Sequence, residues 1–582
     1  MQKIKQLISA ELARCAGEAF PGSTLTPADM LPMLEYPPDA SMGDLALPCF
    51  KLSRSLRRSP VQIAEALAAG LKSAESKDGS AVGEVSAVNG YLNIRISDAY
   101  LAGSVLPEIL QKGEKYGAPV GWEGKKIVLD YSSPNVAKPF HIGHLGTTVI
   151  GHSLKMLFEF AGCECVGINH LGDWGTQFGK LITAFRLWGN REEVEEKGID
   201  ELVALYVRFH AEAEQDKTLE DKARAEFTKL EHGDEENLAL WRWFVDISIK
   251  EYKKTYKQLG IEFDSYNGES FYTDKMPEQV ELLREKNLMK LDDGASIVDL
   301  SAYDMPPCLI LKRDGSTLYP TRDIAAAVYR KRTYNFNKCI YVTSAGQCLH
   351  FRQWFKVMEL MGYDWTDELV HVPYGTVSIN GAKLATRTGN VILLKDLFAQ
   401  AIDKVKSIME EKSPGLQNRD EAAEAVGVGA VVFYYLSGSR MRDINFIMED
   451  ALSFDGNTGP YVQYTYARTC SVLEKAGVTA EQAADGIASG AKITAPEEAE
   501  LLKIMCRFRE RAEAAINDYE PFYITRFILD VSSAFNRFYH NCRILDEEDA
   551  VVRATRIALT GAANIVLGRA FGLICLKKMS KI

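Results

Sequence analysis

The stretch from Lys126 to Phe158 leaves this chain little choice of local fold. Lys126-Ile-Val-Leu-Asp-Tyr131 is apolar and rich in strand formers, and Val149 to Phe158 has the apolar spacing of a helix. Between them lies Ser132-Ser-Pro-Asn-Val-Ala-Lys-Pro-Phe-His-Ile-Gly-His-Leu-Gly-Thr147. A strand thus feeds a loop and then a helix N-terminus, where unpaired N–H groups and the helix dipole favour a phosphate. His141 and His144 flank Gly143 at that turn. Imidazoles can donate hydrogen bonds to phosphate oxygens, and a residue without a side chain lets a nucleotide approach the backbone. Histidines at this spacing can also chelate a metal or sit satisfied in a core. No third ligand of suitable type lies nearby, and four of the nine histidines fall between His141 and His170, which favours a working site.

At 582 residues the chain is too long for one core, so three or four domains are expected. No apolar run suggests a membrane span. Met1 to Leu12 carries Lys3, Lys5 and Glu11 and is patterned as an amphipathic helix rather than a signal peptide, so a cytosolic protein is expected. The eleven cysteines are scattered; only Cys163 and Cys165 are close, and one intervening residue is too few for a zinc knuckle. Reduced thiols and no structural zinc are expected. The net charge of −11 argues against a general nucleic-acid binder, but it is unevenly spread. Residues 191–250 carry 9 basic and 17 acidic groups, whereas 501–582 carry 13 and 9. With Lys51-Leu-Ser-Arg-Ser-Leu-Arg-Arg58, this leaves basic faces near the two ends for a polyanion, unless each is merely a solvated helix face.

The periodicities imply an α/β fold class: a Rossmann-like parallel-sheet domain with an α-helical insertion, a small α/β N-terminal domain and an all-α C-terminal bundle. Residues 1–115 form the first unit, with a half-buried strand at Gly90–Ile96. Residues 120–400 alternate strand and helix signals, with strands at Lys126–Asp130, Cys165–Asn169, Cys308–Lys312 and Cys339–Thr343. The helical insertion covers about 191–300 and is acidic over Arg191–Leu259. A helical junction at 401–455 leads to a bundle at 456–582, in which Pro460 opens a helix and Ile524, Phe527, Ile528, Val531, Phe535 and Phe538 mark one amphipathic face.

Three further blocks carry chemistry. Asn169-His-Leu-Gly-Asp-Trp-Gly-Thr-Gln-Phe-Gly179 follows a strand and suits a ribose and base at a sheet edge, or else a tight turn with a buried Trp174. In Leu318-Tyr-Pro-Thr-Arg-Asp323, Tyr319 and Asp323 sit four apart and align on a helix, where a carboxylate and a phenol could grip a guanidinium; Asp323 could equally pair with Arg322. Asn380 to Asn390 is a loop bounded by Gly381 and Gly389, with Lys383 and Arg387 placed to close over a leaving pyrophosphate. The chain ends Lys578-Met-Ser-Lys-Ile582, which reads as a frayed basic tail.

Taken together, these blocks resemble the arginyl-tRNA synthetases, class I aminoacyl-tRNA synthetases, over essentially the whole chain. The most specific text is Ser133-Pro-Asn-Val-Ala-Lys-Pro-Phe-His-Ile-Gly-His144 with Gly172-Asp-Trp-Gly-Thr-Gln-Phe178. It is joined by Leu318–Asp323, Gln347-Cys-Leu-His-Phe351 and Asp455-Gly-Asn-Thr-Gly-Pro-Tyr-Val-Gln-Tyr464. The resemblance implies that Asn135, Tyr319, Asp323 and Gln347 hold L-arginine, with Ser133 and Asp130 nearby. ATP, arriving with Mg²⁺, would meet His141, Gly143, His144, Gly172, Asp173, Trp174, Gln177 and Lys383. Lys138, Lys383 and Arg387 would act on its phosphates alongside the two histidines. Tyr91 and Asn93 would touch the elbow of tRNA(Arg), and Tyr464 and Arg468 its anticodon side. No membrane partner is implied, and a monomer is expected. Two positions depart from the pattern. Gly146 stands where many relatives carry arginine, and Thr386 replaces the second lysine of the Lys383 loop, a gap that Lys138 is thought to fill.

The reaction implied is attack of the arginine carboxylate on the α-phosphorus of ATP, then transfer to the terminal adenosine of tRNA, at the 2′ position for this class. A non-catalytic tRNA-binding paralogue and a small-molecule nucleotidyltransferase are the competing readings. Arginine-dependent ATP–pyrophosphate exchange, with and without tRNA, separates the three.

Overall fold

The computed structural model describes residues 1–75, 79–383, 392–412, 414–488 and 490–582. Its centre is a four-stranded parallel sheet in the spatial order Leu369–Tyr374, Lys338–Ser344, Lys126–Asp130, Glu164–Ile168. Asp130 lies level with Tyr341 and Ile168, and Ser344 with Tyr374, so all four strands end along one edge. Lys126–Asp130 is buried from Ile127 onward, as a central parallel strand covered on both faces must be. The chain leaves this strand to one side for Glu164–Ile168 and to the other for Lys338–Ser344. That reversal opens a crevice at the carboxyl ends of the strands, the place where α/β sheets bind ligands.

The architecture is the one the periodicities imply, with four differences. The strand at Cys308–Leu311 is not in the parallel sheet. It joins an antiparallel sheet with Ala295–Val298 and Met289–Asp292, whose hairpin turns through Asp293 and Gly294 at φ 46° and 79°. An Asp-Gly pair favours that two-residue turn. The insertion is therefore helical from Arg191–Lys197 to Met276–Glu285 and β-structured beyond. The missing parallel strand is Leu369–Tyr374, an edge strand whose half-buried residues break up any apolar run. Within 401–455 a short strand, Ile444–Phe446, pairs in parallel with Val377–Ile379.

At the N-terminus, Pro60–Glu75 packs over a three-stranded antiparallel sheet with Tyr91–Ile96 in the middle, and Gln2–Ala19 packs against Pro60–Glu75. In that strand Leu92, Ile94 and Ile96 are buried while Tyr91 is exposed and Arg95 half-buried, so the expected alternation holds except at Asn93, which is buried. In the C-terminal region Phe522–Asn541 buries all six residues of its apolar face. Thr458 caps Gly459–Ala476, accepting the Tyr461 N–H, with Pro460 in its first turn. Among the described residues one helix, Ala550–Gly572, is long and apolar enough to cross a membrane by length and composition, contrary to the expectation from the apolar runs. In the fold 67% of its most apolar window is buried, and Arg556 within it pairs with Glu498 and Glu547, each at 2.6 Å.

The tail is tied down by the buried residues just before it and by ion pairs, although its lysines stay exposed. Leu573, Ile574 and Leu576 are buried, Ser153 Oγ donates to the Leu573 carbonyl at 2.6 Å, and Gln463 Nε2 donates to that of Lys577 at 3.2 Å. Lys578 and Lys581 reach Glu114 and Glu474 at 2.8 and 2.9 Å. Met579 and Ile582, half-buried against the core, help to hold a segment that composition alone marks as frayed.

Gly146 has a steric cause. It lies in the helix Leu145–Phe160, and a Cβ there would stand 2.2 Å from Tyr435 Oη and 3.0 Å from the Tyr374 ring. No arginine fits unless Tyr435 moves. Gly146→Ala should therefore lower the unfolding free energy by about 1–3 kcal/mol, through the same overpacking that penalises small-to-large core changes. Thermal unfolding measures this; an unchanged midpoint would mean that Tyr435 yields freely.

Candidate active site

The loop after Asp130 is bent in a way its residues do not favour. Ser132, Ser133 and Ala137 have φ of 71°, 47° and 56°. Neighbouring side chains hold them there. The Ser132 N–H donates to Thr147 Oγ1 at 3.0 Å, and its Oγ is 2.7 Å from Tyr256 Oη. The Ser133 N–H donates to Asn169 Oδ1 at 3.1 Å, and that of Ala137 to Ser248 Oγ at 3.1 Å. Tyr252 Oη donates to the carbonyls of Asn135 and Lys138 at 2.7 and 2.8 Å. Ser248, Tyr252 and Tyr256 all lie on the long insertion helix Glu235–Leu259.

His141 caps a single 3-10 turn, Ile142–His144, that leads into the helix. Its Nδ1 accepts the Gly143 N–H at 3.1 Å, and His144 Nδ1 accepts the His141 N–H at 3.2 Å. With both Nδ1 atoms accepting, each neutral imidazole carries its proton on Nε2 and so offers a donor. The rings lie 3.9 Å apart, and His144 stacks on Phe140. Burial, with His141 beside it, pushes His144 down to about 3; burial and then Lys138 lower His141.

His144 opens onto a cleft of ≈ 460 Å³ at the carboxyl edge of the sheet. Ser133, Asn135, Gly172, Tyr319, Asp323 and Gln347 also line it, as does Asp130. The helix Tyr319–Tyr334 begins at Tyr319, which aligns it with Asp323. Tyr319 is 65% exposed, and Asp323 Oδ2 lies 2.6 Å from His350 Nε2. Arg322 does not pair with Asp323; its Nη1 reaches Glu269 Oε2 at 2.8 Å. Asp130 is held on both oxygens, by Ser133 Oγ at 2.9 Å and by the buried Arg330 at 2.8 Å. Arg330 also donates to His170 Nδ1 at 3.3 Å.

Glu269, His350 and His170 line the cleft and were not singled out in the sequence. His170 and His350 lie inside motifs already recognised, next to residues given roles. Glu269 follows Gly268 in a segment without any motif, so nothing in the sequence marks it. Burial pushes its carboxyl up to about 7, with Arg322 acting against the shift and Asp173 and Asp323 adding to it.

The remaining expected residues are dispersed. Asp173 is 5% exposed and turned away from the cleft, with both oxygens engaged by Ser270. Trp174 and Gln177 line a second cleft of ≈ 580 Å³ that meets the first at Tyr319. Lys138 is exposed and shares a small hollow with Gln177. Arg387 and the side chain of Lys383 lie outside the described residues. Tyr91, 40% exposed, packs edge-on against the exposed Phe50, whereas Asn93 is buried in the sheet. Arg468 lies between the exposed rings of Tyr464 and Tyr539, at 5.0 and 4.8 Å. Among the described residues no group of three or more His, Cys, Asp or Glu could hold a metal ion.

Residues 105–448 match the family of class I tRNA synthetase (R) catalytic domains. The chain belongs to the arginyl-tRNA synthetases. Residues 2–96 match the arginyl tRNA synthetase N-terminal domain and 462–582 the DALR anticodon-binding domain. An arginine–tRNA ligase from Clostridioides difficile (strain 630) is 49% identical over 574 residues, 99% of each chain. One from Alkaliphilus metalliredigens (strain QYMF) is 48% identical, over 95% of this chain and 96% of that one. The Thermus thermophilus arginyl-tRNA synthetase shares the fold, with a TM-score of 0.77 at 22% identity over 99% of both chains.

Buried neutral imidazoles make a synthetase of this build acid-sensitive. His144 and His152 are both pushed down to about 3, chiefly by burial. As pH falls below the ordinary histidine value, the unfolded chain takes up protons that the folded chain refuses. Their contribution is therefore intact above about pH 6.5 and shrinks as pH falls toward the folded value, by about 2 kcal/mol per imidazole at pH 5. Denaturant midpoints measured from pH 7 to pH 5 should fall, and His152→Asn should flatten the slope; an equally steep slope in the variant would contradict this.

Proposed function

We propose that the chain activates L-arginine with ATP, giving arginyl-adenylate and pyrophosphate, and then transfers arginine to the 3′-terminal adenosine of tRNA(Arg). One observation carries the reading. A single cleft joins the imidazole-headed strand-to-helix turn to carboxylates suited to a guanidinium. Two of those carboxylates already have a resident cation: Asp130 has Arg330, and Glu269 has Arg322. Among the described residues, the partner of Asp323 is the imidazole of His350. The charge lacking in the cleft is the charge arginine brings. Asp323 and Glu269 take the guanidinium, with Tyr319 and Gln347 at its sides, and Asn135 and Ser133 take the α-carbon end. Asp130 acts through Ser133. A planar cation with five donors matches this set, and lysine leaves acceptors unpaired, which is worth on the order of 10⁴ in selectivity.

His141, Gly143, His144 and Gly172 hold ATP, and Trp174 and Gln177 border its far side. Lys138, with Lys383 and Arg387, neutralises the departing pyrophosphate. The arginine carboxylate is already a nucleophile at neutral pH, so positioning and charge stabilisation do the work, and Mg²⁺ enters with ATP as part of the substrate. Tyr91 with Phe50, and Tyr464 with Arg468 and Tyr539, present stacking surfaces to the elbow and the anticodon side of the tRNA. The chain works as a monomer in the cytosol.

ATP–pyrophosphate exchange tests the core of this. Exchange should require arginine and should appear only with tRNA present; none with both would overturn the proposal. Asp323→Ala should abolish arginine use and keep the fold, whereas a normal arginine KM in that variant would reassign the socket. Lys138→Ala should slow activation and leave tRNA affinity intact, and an unchanged rate would return the phosphate role to Lys383 or Arg387. Because a cation binds the ionised form of Glu269, arginine KM should be flat above about pH 7 and rise about tenfold per unit below it. Glu269→Gln should remove that inflection; if the inflection stays, Glu269 is not the group responsible.

A further inference from the structure

Gly268 starts the 3-10 turn Glu269–Lys275, and having no side chain it cannot cap the turn. The cap comes from 97 residues away. Asp173 Oδ1 accepts the Ser270 N–H at 2.8 Å, and Oδ2 accepts Ser270 Oγ at 2.7 Å. The backbone is tied as well, since the Glu269 N–H donates to the Leu171 carbonyl at 2.9 Å. The Asp173 carbonyl in turn accepts the Trp241 indole N–H at 2.7 Å, which fixes the turn to the insertion helix. The approach requires glycine, because a Cβ at Gly268 would stand 2.5 Å from the Asp173 carboxyl carbon. The residue between Gly268 and Ser270 is Glu269, whose carboxylate enters the cleft beside Arg322.

We propose that Asp173 is a positioning residue for arginine recognition: as a cap supplied from another part of the chain, it aims Glu269 into the cleft through Ser270. This rests on the assignment of Glu269 to the guanidinium socket. It differs from the expectation that Asp173 meets ATP. Both its oxygens are spent on Ser270, and it is buried away from the imidazole-headed turn. The charged groups facing Glu269 are Arg322 and Asp323 from the Tyr319 helix and Asp173 from the turn beneath it.

The test measures arginine KM, ATP KM and kcat for Asp173→Ala, Asp173→Asn, Ser270→Ala and Glu269→Gln in the full chain with tRNA. Asp173→Ala should raise arginine KM about tenfold or more, as expected for losing hydrogen bonds to a charged group, with ATP KM within about twofold of wild type. Ser270→Ala should shift the same parameter, and the double variant should be no worse than Asp173→Ala alone. Asparagine can accept the Ser270 N–H and donate to Ser270 Oγ, so Asp173→Asn should keep most of the arginine affinity, and it serves as the folded reference if the alanine variant is unstable. A rise in ATP KM, or a loss in Asp173→Asn as large as in Asp173→Ala, overturns the proposal. If Glu269→Gln leaves arginine KM unchanged, the socket assignment fails; if Glu269→Gln raises it and Asp173→Ala does not, the positioning role alone fails.

Discussion

The site depends on a loop that cannot hold its own shape. Three non-glycine residues within six positions, Ser132, Ser133 and Ala137, sit at positive φ, at a cost of order 1–3 kcal/mol each. Such a backbone persists only where its surroundings fix it. Here the fixing groups are Ser248, Tyr252 and Tyr256 on one face of the insertion helix, with Thr147 and Asn169 on the other side of the loop. The insertion, acidic and remote in sequence, is thus structural support for the catalytic loop. Tyr256 ties the two sides together, because its hydroxyl meets both Ser132 and Asn169. The strained segment delivers Ser133 and Asn135 to the cleft and runs on to the turn that places His144 in its wall.

Electrostatics organises the same edge of the sheet. A buried arginine without a partner would be prohibitive, yet Arg330 is 1% exposed. Asp130 neutralises it, and the rings of Tyr272 and Tyr341 lie 5.8 and 5.4 Å from its guanidinium carbon. Arg330 belongs to the helix that also carries Tyr319, Arg322 and Asp323. The ion pair therefore registers that helix against the end of the central strand, and with it the carboxylate on one wall of the cleft against the serine on the other.

Much of this was legible in the sequence, and the exceptions share a cause. Strand-to-helix turns, caps and amphipathic faces are local, so Lys126–Asp130, the histidine turn, Pro460 and the face of Phe522–Asn541 could be read from neighbouring residues. Residues that line a site through tertiary approach could not. Glu269 acquires its place because Asp173 caps the turn next to it, and no spacing rule connects residues so far apart. Motif text also does not say which way a side chain faces. In Gly172-Asp-Trp-Gly-Thr-Gln177 only Gly172 borders the first cleft, Asp173 turns under it, and Trp174 packs against Trp241 and Phe227. Asn93 is a related case: it shares a strand face with Tyr91 and Arg95, and alternation alone does not say that it is buried where Tyr91 stays exposed.

Packing between the ends of the chain sets the geometry available to a long substrate. The ring of Tyr36 in the N-terminal unit lies between Lys5 and Arg507, each at 4.2 Å, and its hydroxyl donates to Glu510. Asp44 and Lys503 pair at 2.8 Å nearby, both mostly buried. Partly buried pairs of this kind resist screening by salt better than surface pairs do. The unit bearing Phe50 and Tyr91 is thereby fastened to the bundle bearing Tyr464, Arg468 and Tyr539. The tail fastens that bundle in turn to Glu114 and, through Ser153, to the helix headed by His141 and His144. Two aromatic surfaces and the cleft are thus held at fixed separations by contacts outside any of them. On the proposed function, a tRNA touching all three would have to match that spacing as well as the chemistry at each, and the rigidity of the frame would share in its selection.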